Sequence, residues 1–435
     1  MIRSAIAAAL IWTTAALAEM PQAVTDADYA PLDMAQVRLG QMLFYDPILS
    51  GNRNISCATC HHPKFATADG VALGLGEGGV GLGPERRVDP DNLPEHRIPR
   101  NAPALFNLGA REFTRLFHDG RIEVDAGKPG GLRTPMGSEM TMGFANLLSA
   151  QTMFPVLSAD EMAGQYNEND VSKAVRQGRI TGQGGAWDIL SQRVTGLPGY
   201  APLIAQAFPQ AEDIGFTQIS DAIAAFVAFE WRSDSSHFDA HLRGQDSLEG
   251  QPAQGMALFY GDAGCAECHS GPFQTDHAFH AMGVPQLGPG KAAAFENHSR
   301  DLGRMKVTGR QEDAYAFRTP SLRNVTETAP YGHSGSHADL AAFIADHADP
   351  VTALDRFDRA SVVLPALPGA SDWVHFDTEE DQQALRAAVT RPPRQISENE
   401  IAALVAFLGS LRDPVALNGR LGIPDAVPSG LPLDR

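Results

Sequence analysis

Two stretches of the chain place apolar residues at helical spacing. Ile219, Ile223, Phe226 and Val227 share one face of a helix. Ile401, Leu404, Val405, Leu408 and Leu411 form a second stripe, behind a capping box made by Ser397 and Glu400. Such stripes are core faces, not binding faces. Far upstream of each lies the same short pattern: Gly40-Gln41-Met42-Leu43-Phe44-Tyr45 in the first half and Gly255-Met256-Ala257-Leu258-Phe259-Tyr260 in the second. A Cys pair follows each pattern, so the chain reads as helix, Cys pair, loops and closing helix, used twice. This predicts a mainly α fold of two tandem domains. Arg243 to Gln254, rich in Gly, Gln, Asp and Ser, marks the boundary and gives domains 19–244 and 245–435. Long loops rich in Gly and Pro separate the helices: Gly70 to Pro84 carries seven Gly, and Gly120 to Gly143 is similarly broken. Neither can be a long helix or a central strand. The Gly run from Gly74 to Gly79 has no strand before it and no helix after it, which excludes a dinucleotide site.

Length and charge narrow the picture. At roughly 150 residues per domain, 435 residues suffice for two or three cores. A formal net charge of −18 argues against a nucleic-acid partner, because no basic region could neutralise phosphates. The N-terminus has Arg3, a mostly apolar stretch from Ala5 to Ala16, and Ala16-Leu17-Ala18 before Glu19. Residues 1–18 therefore read as a secretory signal peptide. No later stretch reaches about 18 uninterrupted apolar residues, so the expectation is an exported, soluble, periplasmic protein without a membrane span.

The four cysteines carry the chemistry. Cys57-Ala58-Thr59-Cys60-His61 and Cys265-Ala266-Glu267-Cys268-His269 are both Cys-x-x-Cys-His, the attachment sequence of c-type haem. The two thiols add to the haem vinyl groups, and His61 or His269 reaches the iron as proximal ligand. A thioredoxin-like pair would need a βαβ context, which is missing. A four-thiolate zinc site draws its pairs from within about 20 residues of each other, whereas these lie about 200 apart. The cofactors expected are two covalently bound haem c groups, one in each of two cytochrome c-like domains.

With these motifs in place, the sequence resembles the bacterial di-haem cytochrome c peroxidases, a family that includes the MauG-type enzymes. The resemblance rests on Leu43-Phe44-Tyr45-Asp46, Ile55-Ser56-Cys57, Arg100-Asn101-Ala102-Pro103 and Phe117-His118-Asp119-Gly120-Arg121. It continues through Phe317-Arg318-Thr319-Pro320-Ser321-Leu322-Arg323-Asn324-Val325 and Thr328-Ala329-Pro330-Tyr331-Gly332-His333. It implies that the N-terminal haem is the peroxidatic one and the C-terminal haem passes electrons to it. Family members carry a Gln, a Pro four later and a Glu ten later in the peroxide pocket. Gln151, Pro155 and Glu161 match, with Glu161 as catalytic acid/base and Gln151 as a pocket hydrogen-bonder.

The resemblance also implies a calcium ion between the domains, held by the Asn101 side chain and the Thr328 and Pro330 carbonyls. Two positions depart from the family. Seventeen residues after Pro330, where members have Met or Tyr, stands His347. It is expected to complete bis-His ligation with His269, with Met305 and Met282 as alternative ligands. His118 stands where members have a Trp relay between the haems; an imidazole there can bond a propionate or bridge water. The segment 121–149 is longer than in those members and reads as a lid over the peroxidatic haem or as a surface insertion. His96 lies in the loop that carries a blocking His in some members, but at a different offset, and reads as a surface residue.

The expected activity is reduction of hydrogen peroxide to water with electrons from a small cytochrome c or cupredoxin. The alternatives are a MauG-like enzyme that uses peroxide to oxidise residues of a partner protein, and a di-haem electron carrier without peroxidase activity. Homodimers are common in the family.

Overall fold

A computed structural model describes residues 19–290 and 300–435; the expected signal peptide lies outside them. The fold is mainly helical, as the apolar stripes predict, with three small antiparallel sheets. Two cores of the same construction account for most of the buried apolar side chains.

In the first core, helix Met34–Tyr45 crosses helix Phe216–Glu230. Asp33 starts the former by accepting from the Ala35 N–H, and Pro47 prevents its continuation. The crossing explains the repeated glycine. A Cβ on Gly40 would lie 1.8 Å from the Ala222 carbonyl oxygen. In the second core, helix Gly250–Tyr260 crosses helix Glu398–Gly409, and a Cβ on Gly255 would lie 1.8 Å from the Ala403 oxygen. Only glycine lets the two backbones meet this closely. Aromatic packing repeats as well. Phe44 meets Phe226 at 5.4 Å and 54°, and Phe259 meets Phe407 at 5.1 Å and 55°.

The first core runs to Trp231 and the second begins at Phe238, a few residues ahead of the Gly- and Ser-rich stretch. The chain then returns. Ala416, Val427, Leu431 and Leu433 pack on the first core, far from their sequence neighbours in the second. Glu230 accepts from the Leu421 and Gly422 N–H groups, both at 2.7 Å, and Asp46 accepts from the Ser429 hydroxyl at 2.7 Å. At the end of this strap, the Thr59 hydroxyl donates to the Asp434 carboxylate at 2.5 Å, inside the first Cys-x-x-Cys segment.

Between the cores, Arg100 pairs with Asp119 at 2.8 Å and with Asp301 at 2.6 Å, all three buried. The segment 121–149 contributes strands Ile122–Val124 and Leu132–Arg133 to a three-stranded sheet with Arg115–Leu116. Glu123 of that sheet holds Arg304 at 3.2 Å. Among the described residues no helix is long and apolar enough to cross a membrane.

Candidate active site

Both Cys-x-x-Cys-His segments fold alike. Cys57–Cys60 is one helical turn, Cys265–Glu267 a 3-10 turn, and in each the His N–H returns to the first Cys carbonyl. His61 Nδ1 lies 2.9 Å from the Thr67 carbonyl oxygen, and His269 Nδ1 lies 3.1 Å from that of Gln274. Thr67 and Gln274 both adopt the left-handed region, φ +65° and +50°, which turns each carbonyl toward its imidazole. A carbonyl can only accept, so Nδ1 carries the proton and Nε2 keeps its lone pair. Burial pushes the pKa of both rings down, which keeps them neutral. None of the four cysteines is paired in a disulfide; burial pushes the thiol pKa of Cys57 and Cys60 up to about 12 and that of Cys265 up to about 11.

A cavity of about 330 Å³ runs from the first half of the chain into the second. It brings together Gln151, His118, Asn101, Thr328, Pro330, Cys265, Cys268, His269 and His347. His347, on helix Leu340–Ala348, faces His269 with ring centroids 6.4 Å apart. Two imidazole–metal bonds of about 2 Å each, together with the two ring radii, fill that span. Met282 lines the same cavity; Met305 does not.

Cys57, Cys60, His61 and Glu161 do not line this cavity. They form a neighbouring group, in which the Glu161 carboxylate is near enough to Cys60 to push its thiol pKa up. Glu161 sits in a single π-helical turn, Ala159–Ala163, just beyond the Pro155–Leu157 turn. Gln151 ends helix Leu147–Gln151, and its buried Oε1 has no partner.

His118 donates from Nε2 to the Asn101 carbonyl at 3.0 Å. Burial first, then the Arg100 charge, pull its pKa down to about 4, so it is a neutral ring. The Asn101 amide nitrogen donates to the Val71 carbonyl at 2.8 Å, which leaves its side-chain oxygen as the acceptor end of the amide. His96 lies on the exposed part of its loop.

A family model described as "Di-haem cytochrome c peroxidase" matches residues 34–247. The chain is 30% identical over 401 residues to the methylamine utilization protein MauG of Methylorubrum extorquens, covering 91% of this chain and 84% of that protein. The chain belongs to the di-haem cytochrome c peroxidase family. It is also 30% identical over 328 residues to the cytochrome c551 peroxidase of Pseudomonas aeruginosa, covering 75% of each. Among solved structures, a MauG-like protein associated with microbial copper homeostasis superposes with a TM-score of 0.54 at 26% identity, over 94% of this chain and 97% of that one. The diheme peroxidase BthA of Burkholderia thailandensis shares the fold, with a TM-score of 0.57 at 21% identity, over 93% and 91%. As a member of this family the chain is a peroxidase-like oxidoreductase and haem is its cofactor.

The residues present fit haem. Each His offers a free Nε2, and His347 stands one iron's width from His269. Arg318, given no role by the sequence, adds an independent sign. Its guanidinium lines the cavity and, among the described residues, bonds to the Phe117 and Thr319 carbonyls. Burial pulls its pKa down to about 10, and no carboxylate pairs with it among the described residues. A half-buried cation on the cavity wall suits an acidic cofactor edge such as a propionate. Its presence in the Phe317-Arg318-Thr319-Pro320 motif was the only sequence signal, and burial is not visible there.

Proposed function

We propose that the chain is a periplasmic peroxidase with two tandem haem domains, 19–244 and 245–435, exported by the signal peptide 1–18. The observation that carries this reading is the asymmetry of the two sites. His347 faces His269 across 6.4 Å, whereas Glu161 lies with Cys60 and His61 outside that cavity, and Gln151, of the first half of the chain, turns an unpartnered amide oxygen on the cavity wall. On this reading the second centre is closed on both sides and the first admits a small ligand. Haem attached at Cys57 and Cys60 and at Cys265 and Cys268 supplies iron centres that exchange electrons with peroxide and with a small donor, a cytochrome c or cupredoxin.

The overall reaction converts hydrogen peroxide, two electrons and two protons into two waters. The chain's own part is proton handling and orientation. Glu161 accepts the proton of the inner peroxide oxygen and returns it to the outer one, which then leaves as water. Gln151 bonds the bound peroxide and fixes its direction. His61, His269 and His347 would hold the haem irons through their imidazoles, and His118 orders the wall between the sites through Asn101. A calcium ion held by Asn101, Thr328 and Pro330 belongs to the same reading, an all-oxygen set that suits that ion.

Peroxide turnover with reduced cytochrome c tests the reading. Glu161→Gln keeps the shape and removes the base, so kcat should fall at least a hundredfold. An unchanged rate would refute the role of Glu161. A second reading is favoured by the 91% coverage of this chain in the MauG match: the same peroxide chemistry directed at residues of a partner protein. Little turnover of small donors, with peroxide-dependent mass changes on a co-purified partner, would select it.

A further inference from the structure

The Gly-rich run absorbed no function in the sequence, yet it holds a buried carboxyl side chain. Glu77 is 1% exposed and has no Lys, Arg or His partner among the described residues. One of its oxygens, Oε1, accepts from three side-chain amides instead: Asn52 at 3.0 Å, Asn54 at 2.8 Å and Asn92 at 2.9 Å. The amide orientation is fixed from outside. Asn169 Oδ1 caps helix Asp170–Arg176 by accepting from the Ser172 N–H, so its nitrogen donates to Asn52 Oδ1, and the Asn52 nitrogen is left to face Glu77. At Asn52 the cluster therefore presents an N–H group to the carboxylate, and the same nitrogen also donates to Glu168 at 2.7 Å.

This cage is joined to the turn that bears Glu161. The Glu77 N–H donates to the Asp160 carbonyl at 3.0 Å. A Cβ on Gly76 would lie 2.0 Å from that carbonyl oxygen and 3.0 Å from Glu161 Cα. From the other side, the Gly51 N–H donates to the Met162 carbonyl at 2.7 Å, and Asn169 donates to that of Ala163 at 2.9 Å. Arg86 holds the Gly-rich run by donating to three of its carbonyls, those of Leu75, Gly76 and Gly81. A π-helical turn lacks the ordinary helical ladder, so its shape depends on such external contacts.

We infer that Glu77, bound by Asn52, Asn54 and Asn92, is a positioning residue that fixes the Ala159–Ala163 turn and thereby the Glu161 carboxylate. The inference rests on the reading of Glu161 as the acid/base. A misplacement of about 1 Å can cost a hundredfold in rate.

A double-mutant cycle on the holoenzyme tests it, reading the second-order rate of peroxide consumption by stopped flow. Glu77→Ala should lower that rate ten- to a hundredfold with the donor KM unchanged. Glu77→Gln, which keeps an acceptor oxygen for the three amides, should restore it to within threefold. In the Glu161→Gln background, Glu77→Ala should change the rate less than threefold. A full rate in Glu77→Ala beside a slow Glu161→Gln, or the same loss in both backgrounds, overturns the inference alone. A wild-type rate in Glu161→Gln overturns the reading of Glu161 and this inference together. Haem content and Tm report folding. Should Glu77→Ala not fold, Gly76→Ala presses on Asp160 with the cage intact and should give the same loss; a full rate there overturns the inference.

Discussion

Buried titratable side chains between the two cores make stability depend on pH. His118 and His333 are pulled down to about 4 and about 3, in both cases chiefly by burial. Their unfolded pKa is near 6.5, so below that pH the unfolded chain binds protons that the native chain refuses. Stability should therefore fall as pH drops from 6.5 toward 4. Asp119 and Asp301 extend the loss. Burial alone would raise them, but the Arg100 guanidinium holds both well below the usual carboxylate range, so their contribution disappears as pH falls below about 4. Asp69 opposes the trend, since burial raises it to about 7, and Asp221 and Glu230, also raised by burial, act in the same direction. Tm measured at pH 7, 5.5 and 4 should decline, and His118→Gln should flatten the slope between 6.5 and 4. A Tm independent of pH across that range would contradict this account.

Among the helices, the repeated glycine makes the sharpest prediction. Gly255→Ala forces a methyl group against the Ala403 carbonyl, where the nearest atoms are backbone and cannot rotate away. Overpacking of this kind costs about 1–3 kcal/mol, so thermal unfolding of the variant should shift down by several degrees. An unchanged Tm would mean that the two helices can slide apart without loss. Here the sequence was informative, because a stripe at i, i+3, i+4 and a glycine repeated before Leu-Phe-Tyr record a local geometry. The two Cys-x-x-Cys-His segments were legible for the same reason: five adjacent residues contain the whole constellation. Arg318 and Glu77 were not legible as site residues. Their meaning depends on burial and on partners brought from Asn52, Asn92 or Phe117, and nothing in the local pattern of either residue records that.

At the scale of the whole molecule, the charge of −18 acts on encounter. A basic cytochrome c should reduce the enzyme at a rate that falls steeply with ionic strength, while the reaction with neutral peroxide stays flat. Stopped-flow traces at 10 and 300 mM salt separate the two; equal salt dependence would mean that the surface charge does not steer the donor. The two-domain reading came from the repeated pattern, but the strap that carries the chain back from the second core to the first was beyond reach. The Gln41 amide donates to the Gly422 carbonyl across most of the chain's length, and no periodicity encodes such a contact.

That strap also sets an order of events. The first core borrows Ala416, Val427, Leu431 and Leu433 from a stretch made after the second core, and Asp434 bonds Thr59 between Cys57 and Cys60. The first half of the protein is thus the last to close. Until this strap docks, the turn that presents the two thiols lacks its cover, which leaves a window for chemistry at Cys57 and Cys60 that ends when the strap is in place.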